Sequence, residues 1–198
     1  MDNLIKIISI VGLLVLIGCK AEKKDVSTDK EVEKETQAVK AKKTDPIKGK
    51  EKSNSEILEL EASRLRAGGS VKTALLIGDK AVIKYVKDFK EYKSINPNSR
   101  VTKEDLENYW STGKAIKKAL VDGSVKLMKK MEFINETEIE LPIKGKVYSI
   151  SVSKEVLEKF TGQPFKMMCE DFGKSFSDKY VYNESGREKF FKTFGQIK

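Results

Sequence analysis

The 198-residue sequence contains no histidine and only two cysteines, Cys19 and Cys169. Without histidine there can be no His-based catalytic triad, no Cys–His pair, no histidine metal ligand and no histidine pH switch. The sequence also has no glycine-rich phosphate-binding or dinucleotide-binding loop and no internal repeat. We therefore assign no catalytic, cofactor-binding or metal-binding residue from the sequence.

A long apolar run lies near the N-terminal end of the chain. Residues Ile7 to Ile17 are interrupted only by Ser9 and Gly12. The run is too short for a membrane-spanning helix, which needs about 20 apolar residues. It has the length of the hydrophobic region of a signal peptide. The sequence therefore predicts a signal peptide over residues 1–18.

The apolar run ends in Leu16-Ile17-Gly18-Cys19, and a charged stretch follows from Lys20. This order of residues resembles the lipobox of bacterial lipoprotein precursors. The resemblance implies that the leader is cut after Gly18 and that Cys19 carries a diacylglyceryl group on its sulfur. Such acyl chains anchor a protein to a membrane without a transmembrane helix. Lipidation of Cys19 would leave Cys169 as the only thiol, and the fold could not depend on an intramolecular disulfide bond.

The residue after the lipobox cysteine bears on the membrane involved. In enteric-type bacteria, an Asp at this position would suggest retention at the inner membrane, but the residue here is Lys20. The resemblance thus implies a lipid anchor in the bacterial cell envelope. We expect the outer membrane if the organism is Gram-negative, and otherwise the exterior of the cytoplasmic membrane.

Residues 20–55 are rich in Lys, Glu and small residues and contain no aromatic residue. Such a segment cannot bury enough apolar surface to offset the entropy of ordering it. The sequence therefore predicts a lipidated N-terminus and a disordered linker over residues 19–53. A flexible linker of this length has a root-mean-square reach of roughly 30–35 Å.

The charge is strongly positive, with 39 Lys and Arg against 30 Asp and Glu, a net charge of +9. In a cytosolic protein this charge would indicate nucleic-acid binding, but an exported protein is not expected to meet nucleic acid. The expected partners are the membrane, through the N-terminal lipid, and an anionic envelope polymer or an acidic protein. Because the basic residues are spread along the chain, solvated lysine-rich faces are the simplest interpretation.

Capping patterns predict the starts of two helices. Ser53-Asn54-Ser55-Glu56 has the form of a capping box and predicts a helix that extends to Arg66. Thr102-Lys103-Glu104-Asp105 predicts a second helix, which carries Trp110 into the core and ends at Asp122-Gly123. Between them, the apolar spacing from Val71 to Lys93 fits a helix. The alternative is that Gly78-Asp79 breaks this helix and leaves Val71–Ile77 as a strand.

The second half of the chain has strand patterns. The segment Thr137–Val152 predicts a hairpin with a two-residue turn at Gly145-Lys146, which places Leu141 opposite Ile150 and all the apolar side chains on one face. Pro142 on the outer face suggests an edge strand. Strand patterns also occur at Val125–Met128 and Met131–Ile134, which could form one strand or two, and at Tyr180–Tyr182. A short helix is predicted over Lys154–Phe160, and a last helix from Ser185 with an aromatic face. The expected fold is α+β, a single domain over residues 54–198 in which N-terminal helices pack with a small antiparallel sheet.

Three side-chain groups have the composition of functional sites. Ser111 and Lys114, like Ser151 and Lys154, match the Ser-x-x-Lys pattern of penicillin-binding enzymes, but the companion motifs of those enzymes are missing. The carboxylates of residues 136, 138 and 140 share one strand face and could bind Ca²⁺, although an exposed acidic face is the simpler interpretation. The Met167-Met168-Cys169 run offers soft ligands suited to Cu(I), but free Cys and Met are usually core residues.

The absence of a catalytic pattern and the presence of a tether favour a non-catalytic binding or interaction module. Two alternatives remain open at this stage. The first is a hydrolase that works without histidine, using Ser, Lys or carboxylates. The second is a surface-exposed adhesin-type lipoprotein.

Overall fold

The structure, a computed structural model, describes residues 51–198. The predicted signal peptide, Cys19 and nearly all of the predicted linker lie outside the described residues. The helices are α1 (Asn54–Ala62), α2 (Phe89–Ile95), α3 (Lys103–Tyr109), α4 (Gly113–Lys130), α5 (Lys154–Thr161), α6 (Phe165–Glu170) and α7 (Glu184–Phe194), with a π-helix at Gly173–Tyr182. The strands are β1 (Val71–Ile77), β2 (Lys80–Tyr85), β3 (Glu136–Ile143), β4 (Lys146–Ser153) and β5 (Gly195–Ile197).

The five strands form one sheet in the order β1-β2-β3-β4-β5. Neighbouring strands are antiparallel, except that β2 and β3 run parallel. The connection between these two strands contains α2, α3 and α4. The α+β class is confirmed, but the sheet is mixed, whereas the sequence predicted only antiparallel pairing.

The core lies between one face of the sheet and α4. Alternate residues of the central strands, such as Ile83, Ile139 and Ile150, are buried and face the apolar side of α4. Gly123 lies at a close contact between α4 and β3, because an added Cβ there would lie 3.1 Å from Cδ1 of Ile139. The predicted helix end at Asp122-Gly123 is therefore wrong: this glycine allows close packing within the helix.

The segment from Val71 to Lys93 does not form the predicted helix. It forms the hairpin β1–β2, which turns at Gly78-Asp79, and then the short helix α2. The alternative strand at Val71–Ile77 is confirmed. Strand β2 buries every second residue, as a strand with one buried face does. Over the longer segment the apolar residues also fit a helical spacing, and so the sequence alone favours a helix there.

Three further strand predictions are wrong. Val125–Met128 lies in the second half of α4, and Met131–Ile134 belongs to no helix or strand. Tyr180–Tyr182 is the end of the π-helix. Short apolar runs fit both a buried strand and a buried helix turn, and here the packing of α4 against the sheet decides in favour of the helix.

The β3–β4 hairpin has the predicted faces but a different register. The turn residues are Lys144 and Gly145, both with positive φ (49° and 75°), as a type I′ turn requires. Leu141 therefore pairs with Tyr148, and not with Ile150 as predicted. The pairing shifts by two residues, and a shift of two leaves every side chain on its predicted face.

Strand β3 lies in the middle of the sheet, and so the prediction of an edge strand from Pro142 is wrong. The pairing of β2 with β3 ends at Lys84 and Glu140. Pro142 lies beyond this point, where its missing N–H breaks no hydrogen bond to β2.

Most of the predicted helix caps are present. The capping box of Ser53 and Glu56 is confirmed, as is that of Thr102 and Asp105. Helix α5 has Ser153 at its N-cap. The last helix is confirmed with its aromatic face, but its N-cap is Asn183 rather than Ser185.

Trp110 is a core residue, as predicted, with 4% of its surface exposed. It packs edge-on against Tyr85 at 5.7 Å between ring centroids. The predicted second helix is interrupted at Trp110, and α4 begins afresh with Thr112 as its N-cap.

Candidate anion-binding groove

The two Ser-x-x-Lys patterns do not bring a lysine to a serine. Lys114 Nζ donates to Glu184 Oε2 at 3.1 Å. Lys154 Nζ donates to the Glu132 carbonyl oxygen at 3.0 Å, and the Ser151 hydroxyl donates to Glu136 at 3.4 Å. Neither lysine is hydrogen-bonded to its serine, and so the geometry does not favour an activated serine nucleophile.

The carboxylates of β3 face lysines of β2. Lys80 Nζ lies 3.0 Å from Glu136 and 2.6 Å from Glu138, and Lys84 Nζ lies 3.1 Å from Glu140. These contacts raise the pKa of Lys80, chiefly through its hydrogen bond to Glu138 and then through that to Glu136. Within residues 51–198 there is no cluster of three or more acidic or Cys side chains that could hold a metal ion.

The Met167-Met168-Cys169 run does not converge on one point. Met168 is buried, Met167 is 59% exposed and Cys169 is half-buried. Burial raises the pKa of the Cys169 thiol, which disfavours the thiolate that a metal would need. The expected buried run is thus limited to Met168.

Basic side chains gather in a groove between the segment after α1, helix α4 and the π-helix. The groove has a volume of about 460 Å³. Its cations are Arg64, Arg66, Lys126, Lys129 and Lys130, its carboxylate is Asp122, and Phe172 and Tyr182 supply aromatic surface. We call this feature the basic groove.

Helix α4 supplies most of these charges because of its periodicity. Lys118, Asp122, Lys126 and Lys130 are spaced four residues apart and share one side of the helix. The apolar side packs on the sheet, and so the charged side is left toward solvent. Lys129 and Lys130 lie in the last turn, where the helix dipole favours cations.

Arg66 is held in the basic groove by two contacts. Its Nε donates to Asp122 Oδ2 at 3.0 Å, and its Nη2 donates to the Tyr182 hydroxyl at 3.4 Å. Burial lowers the pKa of Arg66, but the attraction of Asp122 and Tyr182 raises it by more. Arg66 is therefore a fixed and permanent charge.

Lys118 lies beside the basic groove, with Nζ 5.2 Å from the centroid of the Tyr182 ring. Burial lowers the pKa of its amine, and the charges of Arg187, Arg66 and Lys114 lower it further. The positive charges around Tyr182 therefore repel one another, and an anion bound there would relieve this repulsion.

Arg187 is fully buried behind the same region. Its Nη1 donates to the Val181 carbonyl oxygen at 2.8 Å, while Nε and Nη2 have no hydrogen-bond partner among the described residues. A buried charge without a carboxylate partner is costly. Here it adds positive potential beneath the groove and fixes the backbone next to Tyr182.

Two cavities beside α3 do not concentrate charge of one sign. A cavity of about 360 Å³ near Trp110 is lined by Lys87 and Lys103 but also by Asp88 and Glu107. A smaller cavity of about 260 Å³ beside Tyr109 is mainly apolar. The basic groove is therefore a better candidate site for an anionic ligand than either of these cavities.

One pattern in the sequence does indicate the basic groove, although the predicted strand boundaries conceal it. Lysines recur at helical spacing from Lys114 to Lys130. The strand predicted at Val125–Met128 divides these lysines between different elements and so conceals their common spacing. The contribution of Arg66 and Tyr182 depends on tertiary packing and has no local signal.

Comparisons with protein-family models, with curated proteins and with solved structures find no match for this chain. No helix within residues 51–198 has both the length and the apolar character needed to cross a membrane.

Proposed function

We propose that this chain is a lipid-anchored envelope protein whose domain binds an anionic partner through the basic groove, without catalysis. The observation that carries the proposal is the charge of the groove, which has five cations and one carboxylate. That carboxylate, Asp122, is already paired with Arg66. An anionic envelope polymer or an acidic protein has the complementary charge.

Three of the five cations of the basic groove are available for binding, because Arg64 pairs with Glu61 and Arg66 pairs with Asp122. In the described part of the chain, Lys126, Lys129 and Lys130 form no ion pair, and the Lys129 amine lies 4.5 Å from the centroid of the Phe172 ring. A cleft lined by charges of one sign concentrates field lines and attracts oppositely charged ligands. Binding of this kind weakens as salt increases.

The lipid anchor and the linker would restrict where the domain acts. Lipidation at Cys19 is supported by the order of the leader, Gly18 and the cysteine. A linker with a reach of roughly 30–35 Å keeps the domain close to the membrane. The resulting high local concentration of envelope partners favours even a weak binding site.

Replacing Cys19 with serine tests the anchor. We expect Cys19→Ser to abolish metabolic labelling with palmitate and to move the chain from the membrane fraction to the soluble fraction. Cys169→Ser is the matched control and should change neither. Lipid labelling that persists in Cys19→Ser would refute the assignment of the anchor.

Charge reversal tests the basic groove. We expect Lys126→Glu, Lys129→Glu and Lys130→Glu, combined in the full chain, to weaken binding to dextran sulfate or polyglutamate by about thirtyfold. The control combines Lys90→Glu, Lys146→Glu and Lys192→Glu, which change the net charge equally but lie outside the groove. Equal weakening by both triple variants, measured by isothermal titration at several salt concentrations, would show that only net charge matters.

The proposal also excludes turnover. The purified full chain should leave envelope polymers intact during prolonged incubation. Hydrolysis that survives removal of contaminating enzymes would favour the alternative of a hydrolase without histidine.

A further inference from the structure

We infer that Arg66, Lys118 and Tyr182 form a subsite for a divalent oxyanion of the phosphomonoester type. We call it the oxyanion subsite. The inference rests on the proposed function, because it names the charged group that the basic groove takes. It also distinguishes these three donor groups from the lysines of the groove, which attract anions in general.

Two cations flank the exposed phenol of Tyr182, and the phenol itself is the third donor. The Tyr182 hydroxyl accepts a hydrogen bond from Arg66 Nη2, and so its own O–H is free to donate. Arg66 uses Nε for Asp122, which leaves Nη1 available. Lys118 takes part in no ion pair among the described residues, and its Nζ lies 5.2 Å from the centroid of the Tyr182 ring.

The local charge suits a dianion. Arg66, Lys118 and the buried Arg187 are opposed by Asp122 alone, since the nearby Glu184 is paired with Lys114. A single carboxylate would leave this cluster positive, whereas a divalent group would balance it. The lowered pKa of Lys118, caused by burial and then by Arg187, agrees with an excess of positive charge.

The number and kind of the donors favour a tetrahedral group. They are a guanidinium edge, an ammonium group and a hydroxyl, and they belong to three different side chains. A phosphate or sulfate group presents at least three oxygens in different directions, while a carboxylate presents two in one plane. The oxyanion subsite should therefore prefer phosphate and sulfate to acetate.

Arg187 is a positioning residue in this arrangement. It is fully buried and cannot touch a ligand. Its hydrogen bond to the Val181 carbonyl oxygen fixes the backbone beside Tyr182, and hence the position of the phenol.

The experiment is a titration of the full chain with inorganic phosphate at pH 8, above its second pKa, where most of it is divalent, as a phosphomonoester is too. Sulfate and acetate are titrated at the same ionic strength, and side-chain NMR signals of lysine and arginine are followed. We expect saturable shifts with phosphate and sulfate, and at least tenfold weaker binding of acetate. Equal affinity for acetate would overturn the inference.

Two variants test the assigned residues. Tyr182→Phe removes only the hydroxyl of a side chain that is 56% exposed, and it should weaken phosphate binding about tenfold. Lys118→Ala should weaken it at least as much, while Lys90→Ala, with the same loss of charge on α2, should leave it unchanged. Binding of phosphate by both subsite variants with unchanged affinity would overturn the inference.

Two further arms separate the sources of phosphate and the two proposals. The first arm tests a lipid-borne phosphomonoester by comparing vesicles that contain phosphatidic acid with vesicles whose lipids carry only phosphodiester headgroups. Preferential binding to phosphatidic acid that Tyr182→Phe abolishes supports the subsite. Polyglutamate binding tests the basic groove alone. If polyglutamate binds and phosphate does not, the oxyanion subsite is wrong and the proposed function stands. If neither binds, both are wrong.

Discussion

Replacing Phe190 with alanine should lower the free energy of unfolding by about 3–5 kcal/mol. Phe190 is fully buried in α7 and lies at the centre of an aromatic cluster. Its ring centroid is 5.3 Å from that of Phe160, 5.5 Å from Phe176, 5.8 Å from Tyr180 and 4.7 Å from Phe194. Truncation removes contacts to all four rings and leaves a cavity that the helices can fill only in part.

Urea denaturation of the full chain, followed by circular dichroism and by the fluorescence of Trp110, measures this loss. Phe190→Leu keeps most of the volume and should cost about 1–1.5 kcal/mol. Val156→Ala, at an exposed position of α5, should change the stability by less than about 0.5 kcal/mol. A loss below 1 kcal/mol for Phe190→Ala would mean that the cluster is not packed as described.

Replacing Gly186 with alanine should cost about 3 kcal/mol, although alanine favours helix formation. Gly186 lies in the first turn of α7, where an added Cβ would overlap the carbonyl oxygen of Lys179 in the π-helix. Backbone cannot move aside as a flexible side chain can, and so α7 and the π-helix must separate. Tyr182 ends the π-helix, and we therefore expect phosphate binding to weaken together with stability.

Gly113→Ala is the matched control. Gly113 also lies in the first turn of a helix, but nothing lies within 4 Å of a Cβ added there. This substitution should leave stability unchanged or raise it by up to about 1 kcal/mol. Equal denaturation midpoints for the two glycine variants would contradict the close contact between α7 and the π-helix.

Features encoded within a few residues could be predicted from the sequence. The capping boxes at Ser53 and Thr102 need only a side chain and the backbone three residues away. The two faces of the β3–β4 hairpin follow from the alternation of apolar and polar residues. Its register could not be predicted, because it depends on Lys144 taking a positive φ, which is uncommon outside glycine.

Features that depend on distant contacts were predicted incorrectly. Lys80 pairs with Glu136 in the parallel β2–β3 contact, and nothing near either residue indicates the other. The length of α4 depends on Gly123 packing against Ile139 rather than ending a helix. In both cases tertiary packing outweighs the local preference of the chain.

The basic groove could be predicted only in part. The lysines of α4 follow a helical spacing that is visible in the sequence. Arg66 and Tyr182 are far apart along the chain and meet only because the π-helix packs beside α4. The buried Arg187 could not be anticipated, since an arginine in an amphipathic helix is usually exposed.

The parallel contact between β2 and β3 also has a consequence for how the chain folds. The β1–β2 and β3–β4 hairpins join residues that are close in sequence and can form quickly. The β2–β3 contact instead closes a long loop that contains three helices, and the entropy of closing it must be lost before the pairing contributes any stability. We therefore expect the two hairpins to form independently, and the rate of folding to be set by the step that joins them into one sheet.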